Sequence, residues 1–128
     1  MTEPRAELHV CVTCRAGLPV IEGEPVLGRQ LRDEVAAVLG NTAPVLLRDV
    51  VCLGNCAQGC SAAVSQPGKW SYLLGHMTPA HAADLVAYAA AYAASDNGTV
   101  WRSGRAASLR DAIVARIPGF GFIQQETV

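Results

Sequence analysis

The sequence has little charge of either sign to spare. Ten lysines and arginines face eleven aspartates and glutamates, for a net charge of −1, and Lys69 is the single lysine. No basic tract stands out, so binding to nucleic acid through its phosphates is not expected. No apolar run reaches membrane-spanning length, and the opening residues Met1-Thr-Glu-Pro-Arg-Ala-Glu hold no hydrophobic segment of the kind that directs export. A cytoplasmic protein with no membrane partner is therefore expected, in a compartment where thiols stay reduced. Internal repeats and linkers are absent. So are a Ser-His-Asp set, a phosphate-binding loop and a carboxylate pair, and the chain is not expected to be an enzyme in its own right.

What is present is an apolar share of 51% over 128 residues, enough for one domain with a core that needs no staple. Residues 7–12 alternate polar and apolar up to Val10 and predict a strand that delivers Cys11 and Cys14 at its end. Residues 15–23 read as a loop. Glu24-Pro25 then opens a helix on which Leu27, Leu31, Val35, Val38 and Leu39 recur at helical spacing, and Gly40-Asn41 ends it. Residues 43–51 predict a second strand. Residues 61–65 and 70–74 predict two more, joined by the turn Gln66-Pro67-Gly68-Lys69. Thr78-Pro79 caps a helix over residues 80–94, with Leu85, Tyr88, Ala89 and Tyr92 on one side and Asn97-Gly98 after it. Thr99-Val100-Trp101 looks strand-like, and Ser108-x-x-Asp111 before Ile113-Val114 has the form of a helix-capping box. The expected fold is α/β, in the order β-α-β-β-β-α, with helices packed on a mixed sheet and a short C-terminal helical extension. The core spans about residues 7–95 and the extension residues 96–128 of one domain.

The cysteines are the feature to explain. Cys11 and Cys14 form a C-x2-C, and Cys52, Cys56 and Cys60 form a C-x3-C-x3-C that also contains Gly54 and Gly59. Close cysteine pairs in a reducing compartment point to a metal or iron–sulfur centre before a disulfide framework, and an odd count does not pair off. Two pairs suit a [2Fe–2S] cluster, which takes four thiolates, two on each iron. Its negative charge calls for nearby N–H dipoles, which Gly54, Asn55, Ala57 and Gly59 can offer, and Arg15 could add a positive field. Four cysteines also close a tetrahedral zinc site. A third chemistry is dithiol exchange at Cys11/Cys14, although residues 15–23 separate that pair from the start of the first helix.

Cys52-Leu53-Gly54-Asn55-Cys56, followed by Trp70-Ser71-Tyr72 on the second hairpin strand, resembles the thioredoxin-like [2Fe–2S] ferredoxins and the related cluster-bearing subunit of respiratory complex I. More narrowly, C-x2-C with Cys-Leu-Gly-Asn-Cys-Ala-x-Gly-Cys and Pro-Gly-Lys-Trp-Ser-Tyr is similar to a bacterial family of predicted metal-binding proteins often found beside cobalamin-biosynthesis functions. The resemblance implies a thioredoxin-like fold, a [2Fe–2S] cluster on Cys11, Cys14, Cys52 and Cys56, and one-electron transfer to or from a redox partner protein. It leaves a homodimer open. The chain departs from that pattern in its closely spaced first pair, and in Cys60, which stands where the broader group tends to have proline. Cys60 is thus either a buried bystander or an alternative ligand. Of the other polar groups, His9 reads as solvent-facing or satisfied, and His76 and His81 as flanking a helix start with no partner at ligand spacing. Tyr88 and Tyr92 read as core, and the cluster Arg102, Arg105 and Arg110 as a wet face, with docking of an acidic redox partner as its alternative.

Overall fold

A computed structural model describes residues 5–15, 17–40, 45–55 and 59–119. Five strands form one mixed sheet: β1 (Ala6–Cys11), β2 (Val45–Val50), β3 (Cys60–Ser65), β4 (Trp70–Met77) and β5 (Ile113–Pro118), in the order β2-β1-β3-β4-β5. β1 and β2 are parallel, joined through helix α1 (Leu27–Leu39), as a parallel pair requires. Every other pairing is antiparallel. The α/β class and the β-α-β-β-β-α order of the first six elements are as the sequence predicts. Helix α2 (Ala82–Ala94) packs beside α1.

The core lies between the helices and one sheet face. Alternation along β1 buries Ala6, Leu8 and Val10, and β3 and β4 add Ala62, Val64, Tyr72 and Leu74. Onto these residues α1 places Leu31, Val35 and Leu39, while α2 places Leu85, Tyr88, Ala89 and Tyr92. Val38, expected on the buried stripe of α1, is 49% exposed because the i, i+4 row through Leu31, Val35 and Leu39 alone faces the core. The second helix begins later than the sequence suggests. A single 3-10 turn, Pro79–His81, precedes it, and there Thr78 and His81 form a reciprocal capping box in which the Thr78 N–H donates to His81 Nδ1 at 2.9 Å.

The C-terminal extension corrects the sequence reading. Among its described residues the helical parts are two single 3-10 turns, Arg102–Gly104 and Ala107–Leu109, and Ile113–Pro118 is a strand paired with β4. Ser108 does not pair with Asp111 as a cap. Its hydroxyl donates to Asp84 on α2 at 2.6 Å, and Asp111 takes Arg102 at 3.1 Å. Residues 99–101 form no strand.

At the far end of the sheet, Lys69 ties the hairpin turn to α2. Its ammonium donates to the Ala93 and Tyr92 carbonyls at 2.9 and 3.2 Å, supplying a cation to the C-terminal turn of the helix. Burial pushes the Lys69 ammonium below its ordinary range, partly opposed by Asp96. The Tyr92 hydroxyl donates to the Trp70 carbonyl at 2.6 Å, and its ring meets Tyr72 edge-on at 6.3 Å. Tyr92→Phe removes that donor but keeps the ring contacts, so a loss of about 1 kcal/mol is expected. Chemical denaturation of the two proteins, at unchanged slope, measures it.

Candidate metal centre

The β1–β2 register sets Cys11 opposite Val50, so both parallel strands end at the same edge of the sheet. The segments beyond them leave side by side. The Val12 N–H donates to Val50 O at 2.9 Å, and the Thr13 hydroxyl donates to Val51 O. These bonds hold the Cys11–Cys14 turn against the start of the Cys52 loop. On the other flank of β1 the antiparallel β3 pairs Ala62 with Val10, which brings its first residue, Cys60, to the same end. Topology thus gathers two stretches of cysteine that are distant in sequence.

Around the first pair, Cys11 and Cys14 are both buried. The Cys14 thiol donates to Gly59 O at 3.0 Å, and the Cys11 thiol lies 3.7 Å from Val51 O and from the Thr13 hydroxyl. Helix α1 starts directly against this turn, with the Gly28 N–H donating to Cys14 O at 2.9 Å. Only glycine fits there: a Cβ on residue 28 would collide with the Cys11 carbonyl oxygen and lie 3.0 Å from Cys14 N. The separation expected between Cys14 and the first helix is therefore one of sequence alone. The intervening loop folds back and sets the helix N-terminus on the C-x2-C turn. No pattern of residue types announces this, although a glycine in the first helical turn is its one visible trace.

Within the second stretch, Cys52 is exposed and accepts a hydrogen bond from the Gly54 N–H at 3.2 Å, one of the expected dipoles. Asn55 contributes differently, through its side-chain amide to Ser61 Oγ at 3.0 Å. Gly59 contributes its carbonyl to Cys14. It has φ +78, and a Cβ there would press within 3.3 Å of His76 Cα, itself left-handed at φ +59. Cys56 and Ala57, both expected to contribute to the centre, lie outside the described residues.

Cys60 is fully buried, with the Cys14 and Cys11 thiols in its surroundings. Burial pushes the Cys60 thiol up to about 12, and the two neighbouring cysteines add to the shift. Among the four described cysteines, Cys11, Cys14 and Cys60 lie at one end of the sheet, with Cys52 tethered beside them through Val51. Among the described residues no three His, Cys, Asp or Glu side chains converge at ligand distance. The donor set nonetheless suits a soft metal: sulfur only, on two loops at one sheet end, with an N–H aimed at one of the sulfurs.

The remaining polar candidates are tied into structure. His9 Nε2 lies 3.1 Å from the Ser65 hydroxyl, and burial pushes its imidazole below the usual range. His81 caps the 3-10 turn before α2. Arg102 pairs with Asp111, and Arg105 donates to the carbonyls of Val100 and Arg110 at 3.1 and 2.7 Å, so these arginines brace the extension. Arg15 is exposed on the rim of a groove of about 360 Å³ lined by Leu18, Val20, Ile21 and Leu27.

No curated protein and no solved structure matches the chain. No helix among the described residues is long and apolar enough to cross a membrane. One family model, described as a protein of unknown function (DUF1636), matches residues 8–119, a span that takes in both cysteine stretches and every strand from β1 to β5 apart from the first two residues of β1. The chain belongs to that family.

Proposed function

We propose that this protein is a cytoplasmic electron carrier of thioredoxin-like fold, holding one [2Fe–2S] cluster on Cys11, Cys14, Cys52 and Cys56 and exchanging electrons with a redox partner protein. One observation carries the proposal: parallel β1 and β2 end together, so the C-x2-C turn and the Cys52 loop are bonded to each other at one end of the sheet. The β-α-β-β-β-α order, with β1 and β2 parallel, supports the fold assignment.

A cluster bound there supplies reversible one-electron chemistry. The chain's own residues do the rest. Cys11 and Cys14 offer thiols from a turn fixed by α1, while Cys52 offers one from an exposed loop. The Gly54 N–H donates to the Cys52 sulfur at 3.2 Å and so helps to orient it. Four cysteine thiolates together with two sulfides would leave no open position for substrate on such a cluster, which suits a carrier rather than an enzyme. The exposed side chain of Cys52 puts that edge of the site within reach of a partner.

The test is anaerobic purification, assay of iron and sulfide, and a dithionite titration followed by visible and EPR spectroscopy. About two irons and two sulfides per chain, and an S = ½ signal of about one spin per cluster on reduction, are expected. The potential should fall below that of Rieske centres, where two histidines replace two thiolates. A colourless protein with one zinc would overturn the proposal in favour of a metal-binding module in which four cysteines hold zinc.

A second reading is favoured by a separate observation, the N-terminus of α1 packed on Cys14. A C-x2-C pair beside a helix start is also an arrangement for dithiol exchange, so a dithiol oxidoreductase using Cys11 and Cys14 is the competing function. Its signature in the same titration is a two-electron reduction with no paramagnetic product.

A further inference from the structure

We propose that Cys14 and Cys60 form a redox modification site: in the metal-free chain, peroxide links them in a reversible disulfide that removes Cys14 from metal binding. The last clause rests on the function proposed above, whereas the disulfide itself does not.

The pairing follows from position. Cys14 leaves the end of β1 and Cys60 opens β3, which runs beside β1 in the opposite direction. The Cys14 thiol donates to the carbonyl of Gly59, the residue directly before Cys60, at 3.0 Å, which sets the two cysteines side by side at the end of the sheet. Cys11, on the same turn as Cys14, directs its sulfur toward Val51 O and the Thr13 hydroxyl. Both members of the proposed pair are buried, at 3% and 0% exposure, so an oxidant as small as hydrogen peroxide is required, and a resulting bridge is sheltered from bulky thiols.

The chemistry balances with hydrogen peroxide as the oxidant. The Cys14 sulfur attacks one peroxide oxygen, the O–O bond breaks, and the departing hydroxide takes up a proton as water, leaving Cys14 as a sulfenic acid. The Cys60 sulfur then attacks the Cys14 sulfur. An S–S bond forms, the S–O bond breaks, and hydroxide leaves with the Cys60 proton as a second water. Two thiols and one peroxide become one disulfide and two waters. A dithiol reductant reverses the step by exchange and is itself oxidised.

The test uses the full chain after metal removal by a chelator. Peroxide, alkylation and trypsin digestion are expected to join peptides 6–15 and 49–69, lighter by two hydrogens than the sum of the two peptides alkylated at Cys11, Cys52 and Cys56 alone, with dithiothreitol releasing both. Fragmentation of the joined species assigns the bridging cysteines directly, and the variants check it. The link persists in Cys11→Ser, Cys52→Ser and Cys56→Ser, and is lost in Cys14→Ser and Cys60→Ser. Circular dichroism establishes that each variant is folded, and the fragmentation of the unmutated chain stands even where one is not. A bridge that maps to Cys11, or peptides that stay separate under peroxide, overturns the proposal. In a second arm the oxidised chain is offered ferrous iron and sulfide. It should take up none until dithiothreitol is added. A disulfide without iron uptake in the reduced chain upholds the pair and rejects the cluster, and iron uptake without a disulfide does the reverse.

Discussion

Cys52→Ser protein made under anaerobic conditions is expected to emerge colourless, with iron and sulfide falling from about two of each per chain to nearly none. Among the described members of the set Cys52 is the exposed one, and its sulfur accepts the Gly54 N–H. A serine there keeps the loop and the polar contact but replaces a soft thiolate by a hydroxyl that stays protonated at neutral pH, so the iron loses an anionic ligand. Because the side chain is exposed and outside the core, the apo fold should be unchanged, which unaltered circular dichroism would establish. Cys56→Ser is expected to behave in the same way. Cys60→Ser is expected to keep its iron, since four other thiols complete the set. Loss of iron in Cys60→Ser with retention in Cys14→Ser would exchange those two residues as ligands.

The second large effect is expected at Gly28. Valine there must displace the Cys11 carbonyl or push α1 away from the C-x2-C turn, and neither can yield without breaking the Gly28–Cys14 hydrogen bond. Over-packing of this kind costs about 3 kcal/mol. For a chain of this size, thermal unfolding of the metal-free protein should move down by roughly 10 °C. Gly104→Ala is the matched control, since nothing lies within 4 Å of a Cβ there. An unshifted melting temperature in Gly28→Val would mean that α1 does not depend on this contact.

The elements that pack on the core were legible because they repeat a period. Leu8 and Val10 alternate, Leu31, Val35 and Leu39 recur every four residues, and Pro67-Gly68 marks a turn that closes with the Lys69 N–H on Gln66 O. The C-terminal strand was not, because its pairing with β4 is long-range while its local signals, a serine and an aspartate ahead of Ile113-Val114, imitate a helix start. Ser108 and Asp111 turn out to serve partners on α2 and in the preceding turn. Of the cysteine site, spacing revealed the two stretches but not their mutual arrangement. That Cys60 meets Cys14, and that α1 starts on Cys14, are consequences of strand direction and loop return, which no short motif encodes.

The position of β1 between its two partners also sets an order of events in the life of the chain. β1 meets β2 only after the chain passes through α1, and it meets β3 only after the whole Cys52 loop has been made. Each meeting closes a long loop at an entropic cost that is repaid only when the sheet and its helices pack. Until then the C-x2-C turn and the later cysteines drift as separate short segments with no common geometry. A metal held by both stretches, as proposed above, would thus follow the sheet, the reverse of a zinc finger, whose metal drives its folding. On that proposal, whatever supplies iron would recognise a finished surface rather than an emerging peptide.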